Sequence, residues 1–281
     1  MCPSNRPTAI LRALLTAAVL QVPATALLAQ STQNALGQAD ACVDAIPCQL
    51  DGRSYHVKVP DDWDGVTPMP VMLHFHGWAR QGTLIVKHGR ISGATRERGV
   101  LLLAPNGLGK TWDFWGPGSH DTEFAAAVIE DAAKRYPIDR NRLFVSGYSY
   151  GSAMAWRYAC ENGTEVRALL AVSGTLNQGE ECDTTPQEVR HVHGLRDTVL
   201  DYPFGPDGDE LYPTSLWRRE LGCADPSGTA TYSTTDKDHF SRTIWANCET
   251  GKVIFDQHPR GHFIPKGWFA KQLDELLAAP S

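Results

Sequence analysis

The sequence predicts an α/β fold with a mainly parallel central sheet and helices on both faces, and two observations support this prediction. Short apolar runs that end at Gly or Pro recur along the chain, as at residues 71–77 and 100–105. Such runs are typical of strands that are covered on both faces. Helical segments alternate with these runs, and alternation of this kind favours a parallel sheet with crossover helices.

Local signals place the first elements in order. Residues 53–60 alternate between apolar and polar, with Tyr55, Val57 and Val59 on one side, as in a half-buried strand. The apolar runs at 71–77 and 100–105 are the next two strands. Residues 124–135 then read as a helix that Pro137 stops.

The second half of the chain continues the alternation. A strand at residues 142–147 turns at Gly147 into a helix from Tyr150 to about Glu161. Four further strands are expected at residues 166–173, 189–193, 242–245 and 253–255. Two further helices are expected at residues 213–221 and 268–278. Because neither a repeat nor a linker rich in Pro, Gly or Ser divides these elements, residues 52–281 are interpreted as one domain.

Composition narrows the function classes. The chain has 281 residues, with 26 Lys and Arg against 32 Asp and Glu, 42% hydrophobic residues and a net charge of −6. These fractions are ordinary for a globular protein. A binder of nucleic acid or of an anionic membrane needs a basic surface, so the acidic balance argues against both partners.

The N-terminal residues have the pattern of an export signal. Arg6 and Arg12 precede a short apolar run that Gln21 and Pro23 interrupt, and small residues follow near Ala29. The alternative, an uncleaved transmembrane anchor, needs a longer apolar run. We therefore expect a signal peptide at residues 1–29, a flexible leader at 30–51, a secreted or periplasmic protein, and no stable membrane insertion after cleavage.

The cysteine count supports an oxidising compartment. Removal of residues 1–29 takes away Cys2 and leaves six of the seven cysteines, which predicts three disulfides with fifteen possible connectivities. Proximity favours Cys42–Cys48. Chain order then favours local loop closures in the pairs Cys160–Cys182 and Cys223–Cys248.

Ser149 is the candidate nucleophile. It lies in Gly147-Tyr148-Ser149-Tyr150-Gly151, where an apolar strand enters the Gly-x-Ser-x-Gly pattern and a helix leaves it. This context presents the serine hydroxyl on a sharp turn at a helix start, where developing negative charge is favoured. The alternative is a glycine-rich turn with a capping serine.

A serine nucleophile needs a general base that a carboxylate orients. Asp197 follows the strand at residues 189–193, and the nearest substitute is Asp201. His262 lies in the loop before the terminal helix and is the candidate base, with His258 at the preceding strand end as the alternative. The order Ser, Asp, His is the one that a serine on such a strand-to-helix turn requires.

Backbone donors for the oxyanion follow from the same pattern. The N–H of Tyr150, next after the nucleophile, is one candidate. The other is the N–H of Trp78 in His76-Gly77-Trp78, because Gly77 permits a tight turn where the strand ends.

Other polar and aromatic residues allow competing interpretations. The alternating pairs His74/His76 and His191/His193 raise a zinc hypothesis, but no third ligand stands at metal spacing. We expect no metal and, without a glycine-rich phosphate loop, no nucleotide cofactor. Trp112 and Trp115 stand in a loop at the catalytic edge, where exposed aromatic rings suit an apolar or aromatic acyl group; the alternative is loop packing.

Together these segments resemble a known family, the secreted α/β-hydrolase esterases of the polyhydroxybutyrate depolymerase type, which are related to feruloyl and acetylxylan esterases. The segments that carry the resemblance are His76-Gly77-Trp78, Arg98-Gly99-Val100, Ala104-Pro105-Asn106-Gly107, Gly147 to Gly151, His193-Gly194-x-x-Asp197 and Gly261-His262-Phe263-Ile264-Pro265. The resemblance spans about Gly52 to the C-terminus and implies an α/β-hydrolase fold.

The resemblance also implies an activity and roles for individual residues. It implies Ser149 as nucleophile, Asp197 as acid, His262 as base, and Trp78 and Tyr150 as oxyanion donors. The expected function is hydrolysis of a small or polymeric carboxylic ester through an acyl-enzyme. A serine peptidase of the same fold and a non-catalytic binding protein are the alternatives.

Overall fold

The computed structural model describes residues 42–200 and 205–279. The predicted signal peptide at residues 1–29 and the alternative acid Asp201 lie outside these described residues. Within the described ranges, no helix is long and apolar enough to cross a membrane.

Ten strands of the described chain form one sheet. They are β1 (Cys48–Leu50), β2 (Arg53–Lys58), β3 (Met69–Phe75), β4 (Leu101–Pro105), β5 (Ile138–Tyr148), β6 (Ala168–Val172), β7 (Glu188–Gly194), β8 (Gly228–Thr235), β9 (Asp238–Trp245) and β10 (Lys252–His258). Their spatial order is β1-β2-β4-β3-β5-β6-β7-β10-β9-β8. The six strands from β4 to β10 in that order pair in parallel, and the two at each end pair antiparallel. The predicted mainly parallel sheet is therefore confirmed, and its parallel strands all end at one edge.

Six α-helices pack with these strands, and the last of them follows β10. They are α1 (Gly82–Ile85), α2 (Ser92–Arg96), α3 (His120–Arg135), α4 (Tyr150–Asn162), α5 (Ser215–Glu220) and α6 (Trp268–Ala278) within the described residues. The longest, α3, begins at the cap Ser119, whose hydroxyl accepts the N–H of Thr122 at 3.4 Å. The first turn carries the acidic residues Asp121 and Glu123, and the last turn carries the basic residues Lys134 and Arg135. Both charge pairs interact favourably with the helix dipole.

The helices cover both faces of the sheet. Successive strand residues point to opposite faces, and in β3 the side chains of Leu73 and Phe75 pack in the same core as those of α3, α4 and α5. Met72, which directly precedes Leu73, packs in the second core, to which α1, α2 and α6 contribute. The predicted three-layer arrangement is confirmed, and it leaves the carboxyl edge of the sheet to the loops.

Three disulfides close local loops. The structure joins Cys42 to Cys48, Cys160 to Cys182 and Cys223 to Cys248. These are the pairs that sequence proximity favours. Each bridge restricts the unfolded chain, and bridges of this kind are typical of proteins in oxidising compartments.

Asp256 on β10 ties α6 to the sheet. Its buried carboxylate accepts hydrogen bonds from Arg242 Nε at 2.7 Å, from Tyr232 Oη at 2.7 Å and from Trp268 Nε1 at 2.8 Å. A buried charge is tolerated only when it is paired and hydrogen-bonded in this way. The network therefore anchors the start of α6, and with it one end of the loop that carries His262.

Candidate active site

Ser149 lies in the sharp turn between β5 and α4. Its backbone has φ 59° and ψ −126°, a combination that residues other than glycine rarely adopt. Its N–H donates to Val172 O at 2.9 Å, and its carbonyl accepts the N–H of Ser152 at 2.8 Å. These hydrogen bonds hold Ser149 in a strained conformation at the carboxyl edge of the sheet.

Gly147 and Gly151 flank Ser149 where stretches of backbone come into contact. A Cβ on Gly147 would lie 1.9 Å from the carbonyl oxygen of Gly151, and a Cβ on Gly151 would lie 2.0 Å from that of Phe75. Because both obstacles are main-chain atoms, no side-chain rotation relieves the overlap. The turn that presents Ser149 therefore requires glycine at both positions.

We expect Gly147→Ala to lower the free energy of unfolding by at least about 3 kcal/mol, because the added methyl group overlaps the first turn of α4. Urea denaturation measures the change. Gly89→Ala is the matched control, since a Cβ on Gly89 would meet no atom within 4 Å. Equal stability of the Gly147→Ala and wild-type proteins would contradict this close approach.

Asp197, just after β7, contacts His262, in the loop between β10 and α6. His262 Nδ1 lies 2.7 Å from Asp197 Oδ2. The other carboxylate oxygen accepts the backbone N–H of Val199 at 2.9 Å and of Leu200 at 3.3 Å. The main chain thus orients the buried carboxylate toward the imidazole, and the imidazole keeps Nε2 for another partner.

A second imidazole approaches the same carboxylate. His193 Nε2 lies 3.3 Å from Asp197 Oδ2, and His191 Nε2 lies 3.1 Å from His193 Nδ1. Burial alone would raise the pKa of Asp197, but the hydrogen bonds from His193, His262 and the Val199 N–H outweigh it and hold that pKa well below its ordinary value. Asp197 is therefore ionised at neutral pH although it is buried.

Ser149 and His262 line one cavity of about 460 Å³ at this edge of the sheet. The other lining residues are Gly77, Trp78, Arg80, Tyr148, Tyr150, Val199 and Leu200. Tyr148 packs on the imidazole of His262, with ring centroids 4.9 Å apart, and its hydroxyl donates to His262 O at 3.2 Å. The structure thus brings Ser149 and His262 to the same space, with Asp197 buried behind His262.

Both predicted backbone donors belong to residues that line this cavity. Tyr150 is the first residue of α4, so its N–H has no acceptor inside the helix. Among the described residues, no backbone acceptor takes the N–H of Trp78. The indole of Trp78 is 66% exposed. Both N–H groups thus lack a backbone acceptor among the described residues.

The prediction that Trp112 is an exposed substrate-binding residue is wrong. Its side chain is 2% exposed, its Nε1–H donates to His76 O at 2.7 Å, and its ring packs edge-on against Phe75. A buried indole N–H requires an acceptor, and this one fastens the loop after β4 to the end of β3. Trp115 is 71% exposed, and its ring centroid lies 6.2 Å from that of Tyr150, which lines the cavity, so Trp115 remains a candidate.

The alternative base, His258, does not line the cavity that holds Ser149. Its buried ring ends β10, where Nδ1 accepts the N–H of Arg260 at 3.3 Å and Phe263 packs against it. Between the two candidate bases, the geometry favours His262.

The histidines of the zinc hypothesis are engaged in hydrogen bonds. His74 Nδ1 lies 2.8 Å from Ser146 Oγ. His76 contacts Gly77 O through Nδ1 at 2.8 Å and accepts the N–H of Gly107 at Nε2. In the part of the chain that the structure describes, no group of three or more His, Cys, Asp or Glu side chains is arranged to hold a metal ion.

Known proteins resemble this chain in sequence and in fold. A profile of the phospholipase/carboxylesterase family matches residues 120–232. A probable feruloyl esterase C of Aspergillus niger is 27% identical over 207 residues, which cover 66% of this chain and 76% of that protein. Feruloyl esterase D of Neurospora crassa is 23% identical over 272 residues, which cover 92% of this chain and 89% of that protein.

A solved structure extends the likeness to the fold. An acetyl xylan esterase from Aspergillus awamori superposes with a TM-score of 0.61 at 17% identity, over 81% of this chain and 94% of that one. The chain is an ester hydrolase of the α/β-hydrolase fold. In this esterase, the segment that the family profile matches contains Ser149 and Asp197 and ends before His262.

The sequence does not predict several residues that the structure places at the esterase's site. Tyr148 directly precedes Ser149 in the Gly-x-Ser-x-Gly pattern, and this position is the signal that could have placed it at the site. His193 stands in His193-Gly194-x-x-Asp197. The only role that the sequence suggests for this histidine is that of a metal ligand, whereas the structure places it against Asp197. Arg80, Val199 and Leu200 lie in loops, and no spacing rule predicts that they line the cavity.

Buried histidines make the stability of the esterase depend on pH. Burial lowers the pKa of His74 to about 3 and those of His76 and His258 to about 4, from an ordinary value of 6.5. Between pH 6.5 and about 4, the unfolded chain therefore binds protons that the folded chain excludes. The stabilisation is complete above pH 6.5 and is lost as the pH falls.

We expect the free energy of unfolding to decrease by several kcal/mol between about pH 7 and about pH 5, because each buried imidazole gains a proton on unfolding. Urea titrations at the two pH values measure this difference. His258→Gln should remove part of it, whereas His120→Gln, which replaces an imidazole whose side chain is 94% exposed, should retain all of it. A wild-type stability that is unchanged over this range would contradict the prediction.

Proposed function

We propose that the esterase is a serine hydrolase in which Ser149 is the nucleophile, His262 the general base and Asp197 the carboxylate that orients His262. The observation that carries this proposal is a shared cavity. Ser149, on its strained turn, and His262, held at Nδ1 by Asp197, line the same space. An activated serine needs this arrangement of nucleophile, base and orienting carboxylate.

Acylation begins when Ser149 Oγ attacks the carbonyl carbon of the ester. His262 Nε2 takes the hydroxyl proton, and the ionised Asp197 stabilises the imidazolium that forms. The hydrogen bond at Nδ1 keeps the neutral imidazole in the tautomer that has a lone pair on Nε2. As the tetrahedral intermediate collapses, His262 returns the proton to the alcohol oxygen, which leaves.

Deacylation repeats these steps with water in place of the serine hydroxyl. His262 takes a proton from water, the hydroxide attacks the acyl carbon, and Ser149 leaves with the proton that His262 returns. In both halves of the reaction, the carbonyl oxygen becomes an oxyanion. The N–H groups of Trp78 and Tyr150 are the donors that we assign to it, each worth about 3 kcal/mol in the transition state.

We propose a carboxylic ester with an aromatic or short hydroxyacyl group as the substrate, as a small molecule or as part of a polymer. The relatives named as feruloyl esterases support an aromatic acyl group. The cavity walls agree with this assignment, because Tyr148, Tyr150 and Trp78 supply rings and Leu200 supplies an aliphatic side chain. Exposed Trp115 extends the aromatic surface beyond Tyr150.

We also propose that residues 52–281 form a single catalytic domain that works outside the cytosol, secreted or periplasmic. One continuous sheet supports the single domain. The sheet includes β1, which pairs with β2, so Cys48–Leu50 belong to this domain and not to a flexible leader. The three disulfides support an oxidising compartment. The signal peptide at residues 1–29 completes this part of the proposal.

A substrate panel tests the function. Purified protein is assayed on methyl ferulate, p-nitrophenyl butanoate and an ester of hydroxybutyrate, with an acyl p-nitroanilide as the amide counterpart. We expect kcat/KM for the esters to exceed that for the anilide by at least about 100-fold, and methyl ferulate to be the best substrate that lacks an activated leaving group. Faster cleavage of the anilide would favour the peptidase alternative, and turnover of none of these compounds would contradict the proposed function.

A further inference from the structure

Arg80 occupies a fixed position beside the site. It follows β3 in a tight turn, where its N–H donates to Gly77 O at 3.2 Å. Ala79, inside the turn, has a left-handed φ of 59°, and its N–H donates to Lys110 O at 2.9 Å. The backbone that presents the Trp78 N–H therefore also sets the position of Arg80.

Arg80 lines the cavity with Ser149 and His262, and it is exposed to solvent. Other arginines form ion pairs, as Arg98 does with Asp274 and Arg140 with Glu130. No carboxylate among residues 42–200 and 205–279 lies within ion-pair distance of Arg80. An arginine is always charged, so this cavity contains a cation without a partner from the described chain.

The neighbouring groups leave this charge available. Arg80 does not stack on an aromatic ring of the described residues, although Arg53 and Arg260 each lie over a phenylalanine. The nearby carboxylate of Asp197 already accepts hydrogen bonds from His262 and from two backbone N–H groups. Val199 and Leu200 add apolar surface beside this charge, and Val199 is 64% exposed, so a charged ligand can reach Arg80 from solvent.

We propose that Arg80 binds a carboxylate carried by the substrate, so that the enzyme prefers acidic esters over neutral esters of the same shape. The planar guanidinium presents paired N–H donors that match the two oxygens of a carboxylate. Depending on which part of the ester carries the charge, the substrate is a half-ester of a dicarboxylic acid or an ester of a hydroxycarboxylate. The inference rests on the proposed function, since it uses the same cavity.

Two matched pairs of esters test the proposal. For the acyl side, the p-nitrophenyl half-ester of adipic acid is compared with p-nitrophenyl hexanoate. For the alcohol side, the butanoyl ester of para-hydroxybenzoate is compared with that of para-hydroxybenzamide. The pair whose preference depends on Arg80 identifies the part of the substrate that carries the carboxylate. Hydrolysis of the neutral esters, and its loss in Ser149→Ala, reports on the proposed function independently.

The variants are Arg80→Gln, Arg80→Lys and Lys87→Gln. Lys87→Gln is the charge-matched control, because Lys87 does not line this cavity. We expect Arg80→Gln to lower kcat/KM for the acidic ester of one pair about tenfold and to leave the neutral esters within about twofold. Arg80→Lys should retain part of the preference, high salt should weaken it in the wild type, and Lys87→Gln should not change it. An equal loss on acidic and neutral esters, or no loss on either acidic ester, would overturn the proposal.

Discussion

Ser149→Ala is expected to lower kcat on p-nitrophenyl butanoate by roughly 10⁶-fold, because the variant has no hydroxyl to form the acyl-enzyme. Residual turnover would come only from the oxyanion donors and from substrate binding. The fold should remain intact, since alanine carries the same Cβ as serine at the strained φ of 59°. Initial rates measure the loss, and urea denaturation verifies the fold.

Ser152→Ala is the matched control for the nucleophile. Ser152 lies one turn farther along α4, and its hydroxyl donates to Gly174 O at 2.7 Å. This variant should lose about 1 kcal/mol of stability and keep its activity. Ser149→Ala activity within about tenfold of wild type would rule out Ser149 as the nucleophile.

Asp197→Asn is expected to lower kcat by about 10³- to 10⁴-fold, because an asparagine amide can hold His262 in the wrong tautomer and does not stabilise the imidazolium. The loss should fall on kcat with little change in KM, since Asp197 is buried behind His262 and does not line the cavity. Steady-state kinetics on p-nitrophenyl butanoate separates these two constants.

Asp64→Asn provides a closely matched control. Asp64 accepts the N–H of Val66 at 2.9 Å and of Thr67 at 2.7 Å, in the same kind of turn that Asp197 forms with Val199 and Leu200. No histidine of the described residues contacts Asp64, so its replacement should affect only the local turn. If Asp197→Asn is as active as Asp64→Asn, Asp197 does not act through His262.

Local sequence signals predict the most about the nucleophile turn. An apolar strand, the Gly-x-Ser-x-Gly pattern and a helical segment are all encoded within residues 138–162, and the structure contains β5, the strained turn and α4 in that order. The helix at residues 268–278 has the predicted bounds, because its apolar spacing is regular. Elements whose residues carry their own signal can be identified without tertiary information.

Elements that lack an apolar pattern escape prediction. Strand β8, Gly228–Thr235, lies at the edge of the sheet, and most of its residues are exposed or half-buried, so its polar composition reads as a loop. Helices α1 and α2 have four and five residues, which is too short for a helical period. Strand β8 forms because it pairs with β9, and α1 and α2 form because they pack on β4. Both are tertiary effects.

The site illustrates the same limit. The conclusion that Trp112 faces substrate fails because its burial depends on the end of β3, more than 30 residues earlier, which supplies the carbonyl of His76 as an acceptor. Arg80 gives the opposite case, because its turn places it at the cavity although no sequence pattern marks it. Side chains on loops are positioned by contacts that local sequence does not contain.

Covalent labelling identifies the nucleophile itself. The protein is incubated with diethyl p-nitrophenyl phosphate, which transfers a diethylphosphoryl group to an activated serine and releases p-nitrophenol. We expect one adduct per chain, found by peptide mass analysis on Ser149, and no adduct in Ser149→Ala or in protein that was first denatured. A single adduct on another residue, or an unlabelled native protein, would contradict this expectation.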